Sequence, residues 1–147
     1  MTLDEVEATL ADGYLGRRDG EVLFVQNAQT ESEFVVEQFS GSIQIRQRVR
    51  HACHELEDAE LGRVYRLCSA VNQRFSGCKS YVDDWGALLT TADILAECVS
   101  PRTLWVVLGQ VEFVSLAMLG LAEVVIDGGR MVTEQEIDDA LQSPGLH

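Results

Sequence analysis

One stretch, from Ser100 to Ile126, constrains the fold most because it is the longest and most apolar segment of the chain. Ser100 can cap a helix through its side-chain oxygen, and Pro101 suits the first helical position, where its missing N–H costs nothing. Apolar or small residues then recur at steps of three or four, the period of one helical face. This row comprises Leu104, Leu108, Val111, Ser115, Met118, Ala122 and Val125. The stretch is predicted to be one long helix.

The neighbours of this helix can be of three kinds. Roughly twenty apolar residues suffice to cross a bilayer, but Glu112 and Gln110 would be expensive in hydrocarbon, so no membrane span is expected. A second interpretation is a core helix laid on a sheet. In a third, one side packs on the sheet and the other on a second copy. The candidate residues for this core or dimer helix are Trp105, Leu108, Glu112, Leu116 and Leu119.

Length and charge narrow the class of protein. A chain of 147 residues is long enough to bury a core, and we expect one α/β domain over residues 1–127. Residues 128–147 are expected to form a C-terminal extension with a short, loosely docked helix. The net charge of -13 would repel a phosphate backbone, so nucleic-acid binding is disfavoured and basic partners are favoured.

The cysteines and the N-terminal residues indicate in which cellular compartment the protein is expected. The four cysteines contain no Cys-x-x-Cys pair, so their spacing is typical neither of a zinc site nor of a disulfide framework. The first residues lack the basic and apolar run of a signal peptide. We therefore expect a cytoplasmic protein with free, mostly buried thiols.

Along the rest of the chain, periodicity and turn residues predict an α+β fold in the order α-ββββ-α-ββ-α, with a twisted antiparallel sheet packed against helices. A capping box at Thr2 starts the first helix, and the Asp19-Gly20 pair predicts the turn of the first hairpin. Asp58 is expected to cap the second helix. A further capping box, Thr133 with Glu136, predicts the short C-terminal helix.

Three arginines, Arg46, Arg48 and Arg50, alternate along the fourth predicted strand and should share one of its faces. We call them the arginine face. One interpretation is a solvated face whose guanidinium groups pair with nearby carboxylates. The other is a docking patch for an acidic peptide or an anion.

No motif supports catalysis or a cofactor. The chain contains no Gly-x-Ser-x-Gly, no nucleophile pair in a known motif and no phosphate-binding glycine loop. The run His51-Ala52-Cys53-His54 holds metal-ligand residue types, but consecutive residues of an extended segment point to opposite faces and no matching second pair exists. We therefore expect no enzyme activity, no cofactor and no bound metal.

Three segments resemble a known family. Leu61–Asn72 is similar to its helix with a late Asn, Lys79–Leu88 is similar to its acidic hairpin, and the long helix follows Ser100-Pro101. The chain thereby resembles the YbjN-like family of candidate bacterial sensory-transduction regulators, which shares the fold of type III secretion chaperones. The resemblance implies helices packed on an antiparallel sheet, a protein that is commonly dimeric, and no enzyme activity.

Three functions follow as hypotheses. The first is a cytoplasmic, non-enzymatic interaction or regulatory protein of the YbjN-like kind, which acts through protein–protein contacts and forms a homodimer. The second is a type III secretion-like chaperone that binds an effector segment, for example as an added strand. The third is a small-molecule sensor with a pocket between sheet and long helix, which Trp85, Trp105 and Tyr81 would line.

Overall fold

The computed structural model describes residues 2–50 and 53–142 as an α+β fold with an open antiparallel sheet. The helices are α1 (Leu3–Ala8), α2 (Asp58–Arg74), α3 (Pro101–Ile126) and α4 (Glu134–Leu141). The strands are β1 (Tyr14–Asp19), β2 (Val22–Asn27), β3 (Glu33–Phe39), β4 (Ser42–Arg50), β5 (Lys79–Val82) and β6 (Leu88–Leu95). Their order in the sheet is β1-β2-β3-β4-β6-β5. The predicted class and element order are confirmed.

Two compact units share the chain. The first contains the residues up to Gln47 together with Thr91–Glu112, and the second contains Arg48–Thr90 together with the residues from Phe113 onward. β4, β6 and α3 each continue from one unit into the other. The predicted domain at 1–127 with an extension at 128–147 stays a prediction. The interpretations that rest on His51, Ala52, the His54 side chain and residues 143–147 fall outside the described residues.

In the first unit, strands β1 to β4 form a meander of antiparallel neighbours. Alternate residues of β2, β3 and β4 are buried, as the period of a half-buried strand requires. The buried side chains on these strands include Leu23, Val25, Phe34, Val36, Ile43 and Ile45. Leu3 and Val6 of α1 are buried as well. Hydrophobic burial on one face leaves the other face of the meander to interact with solvent or a partner.

The first hairpin turns one residue later than predicted. Asp19 pairs with Val22, so the two loop residues are Gly20 and Glu21 rather than Asp19 and Gly20. Gly20 has a φ of +63° at the first loop position, where a two-residue hairpin of the II′ type calls for glycine. Strand pairing over the length of β1 outweighed the local preference of the Asp-Gly pair.

The predicted apolar row of α3 is confirmed. Each of its members is buried: Leu104, Leu108, Val111, Ser115, Met118, Ala122 and Val125. The helix is long and apolar enough to cross a membrane by length and composition alone. Its buried row is the arrangement expected of a core helix, because a helix covered by protein needs no lipid to shield its apolar face.

In the second unit, α2 and α4 are joined by ion pairs. Arg74 of α2 donates from Nε to Asp138 Oδ1 of α4 at 2.9 Å, and Ile137 of α4 is buried.

The capping box of Thr133 and Glu136 at the start of α4 is confirmed. Hydrogen bonds from Arg130 lower the pKa of the partly exposed Glu136 carboxyl to about 2.

The N-terminus of α2 differs from the prediction by one residue. Glu57, not Asp58, is the N-cap, and Asp58 is the first helical residue. The Glu57 main-chain N–H donates to Glu60 Oε1 at 3.1 Å. Glu60 stands three residues after Glu57, which is the spacing that lets a glutamate reach back to the N-cap.

The predicted thiols are free, and three of the four are buried: Cys53, Cys68 and Cys78. Burial raises the pKa of the Cys68 thiol to about 12 and that of Cys78 to about 11. Because the thiolate is the reactive form, these two side chains are inert near neutral pH. Cys98 is exposed.

Candidate protein-binding surface

The arginine face lies on β4, as predicted, and its members have different surroundings. Arg46, in the first unit, forms an ion pair with Glu37 of β3, and its side chain is about one third exposed. In the second unit Arg48 is exposed and has an interaction partner, whereas Arg50 is half-buried. The ion pair of Arg46 favours the interpretation of a face that pairs with carboxylates. Whether the arginine face binds a partner stays a prediction.

A row of side chains crosses the outer face of the β1–β4 meander. The strand registers align Arg17 with Phe24, Phe24 with Val35, and Val35 with Arg46. The Arg17 guanidinium carbon lies 4.7 Å from the centroid of the Phe24 ring, a cation–π contact. Phe24 and Val35 are half-buried. This outer row thus has apolar side chains at its centre and an arginine at each end, of which Arg46 is paired with Glu37.

One end of the sheet is open. β1 is a terminal strand and pairs only with β2. Along an antiparallel strand, residues that bond to the neighbouring strand through their main-chain N–H and C=O alternate with residues whose N–H and C=O point away from it. The two-residue loop makes Asp19 and Val22 a pair joined by main-chain hydrogen bonds. The Ala28 N–H donates to the Gly13 C=O at 2.8 Å, so the odd-numbered residues of β1 are the ones that bond to β2. The N–H and C=O groups of Gly16 and Arg18 therefore point away from β2.

These four main-chain groups form what we call the β1 edge. Within residues 2–50 and 53–142, no hydrogen-bond partner is found for them. Leu15, on the outer face of the same strand, is 61% exposed. A row of unpaired main-chain groups beside an exposed apolar side chain is a template for another strand.

Helix α1 supports β1 on its inner side. The Arg18 guanidinium donates to Asp4 Oδ1 at 2.6 Å and to the Gly20 C=O at 2.7 Å. A Cβ on Gly16 would lie 2.9 Å from Glu7 Cγ, so glycine permits the close approach of α1. These contacts order the β1 edge in the absence of a partner.

The other end of the sheet is closed by a side chain. Asn72 of α2 donates from Nδ2 to the Ser80 C=O at 2.9 Å and accepts from the Ser80 N–H at 2.7 Å. Ser80 lies on β5, the other terminal strand, and is almost fully buried. The amide of Asn72 thus occupies the hydrogen-bonding position that a further strand would use.

The structure separates the five candidate residues of α3. Leu108 is buried at 1% exposure, so it is a core residue and not part of a free surface. Glu112 is half-buried and accepts a hydrogen bond from the Thr30 hydroxyl at 2.8 Å. Trp105 in the first unit, and Leu116 and Leu119 in the second, are exposed.

The carboxylate of Glu112 also interacts electrostatically with Tyr14 of β1. Burial, and then the negative charge of Glu112, raise the pKa of the Tyr14 hydroxyl. Glu112 therefore has structural contacts at the middle of α3, which explains how a carboxylate is accommodated in so apolar a helix.

The aromatic residues proposed to line a ligand pocket point to solvent. Trp85 is 85% exposed, Trp105 57% and Tyr81 37%. Side chains this exposed do not enclose a small molecule. They give the small-molecule sensor hypothesis no support.

The described part of the chain contains no group of three or more His, Cys, Asp or Glu side chains placed to hold a metal ion. The chemistry that the first unit offers is main-chain hydrogen bonding at the β1 edge and apolar contact on the outer row.

Sequence reasoning missed the β1 edge, the Arg17–Phe24 contact and the closure of β5 by Asn72. The hairpin signal at Gly20 could have revealed the contact between Arg17 and Phe24, because loop length determines which residues face each other. The two edges could not be found in this way, since they depend on the order of strands in the sheet.

No family model and no curated protein matches this sequence. Solved structures do match. A chain of the heterodimeric ExoU–SpcU complex from the type III secretion system of Pseudomonas aeruginosa has a TM-score of 0.52 at 15% identity, over 80% of this chain and 86% of its own. YbjN from E. coli, a candidate transcription regulator, has a TM-score of 0.62 at 14% identity, over 86% and 95%. A chain of the ExsC–ExsE complex has a TM-score of 0.51 at 11% identity, over 77% and 79%.

At these identities the likeness concerns the fold. The chain has the fold of YbjN and of the type III secretion chaperones, which confirms the fold predicted from the resemblance.

Proposed function

We propose that this chain is a non-enzymatic, cytoplasmic protein-binding protein that holds an extended segment of a partner as an added strand along β1. The observation that carries the proposal is the β1 edge, where Gly16 and Arg18 present unpaired N–H and C=O groups. In strand addition, main-chain hydrogen bonds provide affinity and alternate side chains provide specificity.

The side chains around the β1 edge favour a particular kind of segment. Leu15 offers an apolar contact on the outer face, and Arg17 beside it is already engaged with Phe24. Exposed carboxylates surround the strand, among them Glu5, Asp12, Asp19 and Glu21. A segment that alternates apolar and basic residues would complement both features.

The proteins of similar fold suggest two versions of this proposal. Two of the similar chains come from complexes, ExoU–SpcU and ExsC–ExsE, and the third is YbjN. The leading version is a regulatory interaction protein of the YbjN-like kind. The second version is a type III secretion-like chaperone whose bound segment belongs to an effector. Neither version involves nucleic acid, a membrane or a cofactor.

We expect Arg18→Pro to weaken the binding of an extended peptide about tenfold relative to Arg18→Ala. Proline removes the outward N–H of residue 18 while its fixed φ suits an edge strand, and both variants lose the ion pair with Asp4 equally. The measurement is fluorescence polarisation with a labelled peptide selected from a random 12-residue library on the unmodified protein.

A circular dichroism melt of both variants checks that β1 still folds. If the selected peptides bind Arg18→Pro and Arg18→Ala with equal affinity, strand addition at the β1 edge is excluded. Selection of peptides whose binding survives both changes would place the protein-binding surface elsewhere.

We also propose that the protein forms a homodimer through the second-unit part of α3. Leu116 and Leu119 are 61% and 40% exposed and lie three residues apart, on one side of the helix. Gly120 beside them has open space where a Cβ would stand, which permits close approach of another helix.

Light scattering tests this association. We expect a mass close to twice 16.3 kDa for the unmodified chain and a shift towards the single-chain mass for Leu116→Glu, because a glutamate pair at a symmetric contact would be desolvated and repulsive. A strict monomer at high concentration contradicts the homodimer and leaves the proposal for β1 unaffected.

A further inference from the structure

The turn between β5 and β6, Asp83–Gly86, displays the most exposed large apolar side chain in the described part of the chain. Trp85 in this turn, which we call the Trp85 turn, is 85% exposed. Isolated tryptophans at the surface are uncommon, and tryptophan is among the residues most enriched at the energetic centres of protein interfaces. The strand-addition proposal for the first unit does not use this residue.

The backbone beneath Trp85 is firmly held. Asp83 Oδ1 accepts hydrogen bonds from the N–H groups of Trp85 and Ala87, both at 2.9 Å. The Gly86 N–H donates to the Asp83 C=O at 3.0 Å, and the Gly86 C=O accepts from the Cys53 N–H at 2.6 Å. Gly86 has a φ of +81°, which glycine adopts without strain. Little backbone freedom would be lost on binding, since the turn is already ordered.

Two acidic residues precede Trp85 in the turn. Asp84, the residue before Trp85, is exposed, and Asp83 is half-buried. An arginine or lysine can lie over an indole face and pair with a neighbouring carboxylate at the same time. The same turn of a second copy would instead bring its own Asp83 and Asp84 towards these carboxylates, which places like charges together.

We propose that the Trp85 turn is a docking site for a basic segment of a partner protein, with Trp85 as the stacking platform and Asp84 as the charge partner. The site belongs to the second unit and is independent of strand addition at β1.

The probe is a nine-residue peptide of alternating arginine and serine with a fluorescent label, titrated into the full chain. We expect Trp85→Ala to weaken its binding about tenfold, because the aromatic anchor is lost. Asp84→Asn should weaken it about threefold, the effect of one exposed charge pair. Asp127→Asn removes the same charge from another exposed position of the second unit and should leave the affinity unchanged.

The chain contains two tryptophans, so Trp105→Phe leaves Trp85 as a single fluorophore whose emission reports directly on docking. We expect its emission to change with the arginine peptide and not with a glutamate–serine peptide. Binding to Trp85→Ala within twofold of the unmodified chain, or equal losses from Asp84→Asn and Asp127→Asn, would show general attraction to an acidic protein and overturn the proposal.

Discussion

Replacing Leu108 with alanine should lower the free energy of unfolding by about 2–5 kcal/mol. Leu108 is only 1% exposed and lies on the buried row of α3 in the first unit. Removal of its branched end forfeits the transfer free energy of the buried methyl groups and leaves a cavity that the neighbours fill incompletely. Urea denaturation followed by circular dichroism measures the change.

A matched leucine in the same unit supplies the control. Leu95 on β6 is 59% exposed, so Leu95→Ala should change the unfolding free energy by less than about 0.5 kcal/mol. The experiment also separates the two roles considered for Leu108. Equal small effects at both positions would mean that Leu108 is not a core residue, and that the assignment of the buried side of α3 is wrong.

Asn72→Ala should lower the free energy of unfolding by about 2–4 kcal/mol and promote self-association. The substitution leaves both the N–H and the C=O of Ser80, a residue at 1% exposure, without their partners. Their desolvation is then uncompensated, and β5 presents unpaired main-chain groups. Urea denaturation measures the first effect, and light scattering over a range of protein concentrations measures the second.

Asn72→Asp is the informative comparison. A carboxylate can still accept from the Ser80 N–H but cannot donate to the Ser80 C=O, so its cost should reflect the loss of one bond and the repulsion between two oxygens. If Asn72→Ala is no less stable than the unmodified chain, the amide is not what closes β5. If it is destabilised and stays monomeric, exposure of the β5 edge does not suffice for association.

The elements and the buried side of α3 were predictable because they depend on local periodicity. Leu104 and Met118 stand on a row of 3.6-residue period, and burial of such a row requires only that some apolar surface cover it. The same kind of local pattern explains why Ile43 and Ile45 of β4 are both buried, because residues two apart on a strand share one face. Where prediction erred, as at Gly20 and Asp58, strand pairing or side-chain capping moved a boundary by one residue.

The candidate surfaces were not predictable in the same way. Leu108 stands on the predicted apolar row of α3 and Leu116 does not, but both were candidates for a core or dimer helix, and only tertiary packing left the side with Leu116 exposed. Whether Gly16 and Arg18 have partners depends on β1 being a terminal strand, and the closure of β5 depends on Asn72 meeting Ser80 across a helix–strand contact. Sequence by itself determined the helices, the strands and their buried faces, because hydrophobic spacing is encoded within each segment. The tertiary structure alone decided which edge stays open and which aromatic faces solvent, because both depend on contacts between segments far apart in the chain.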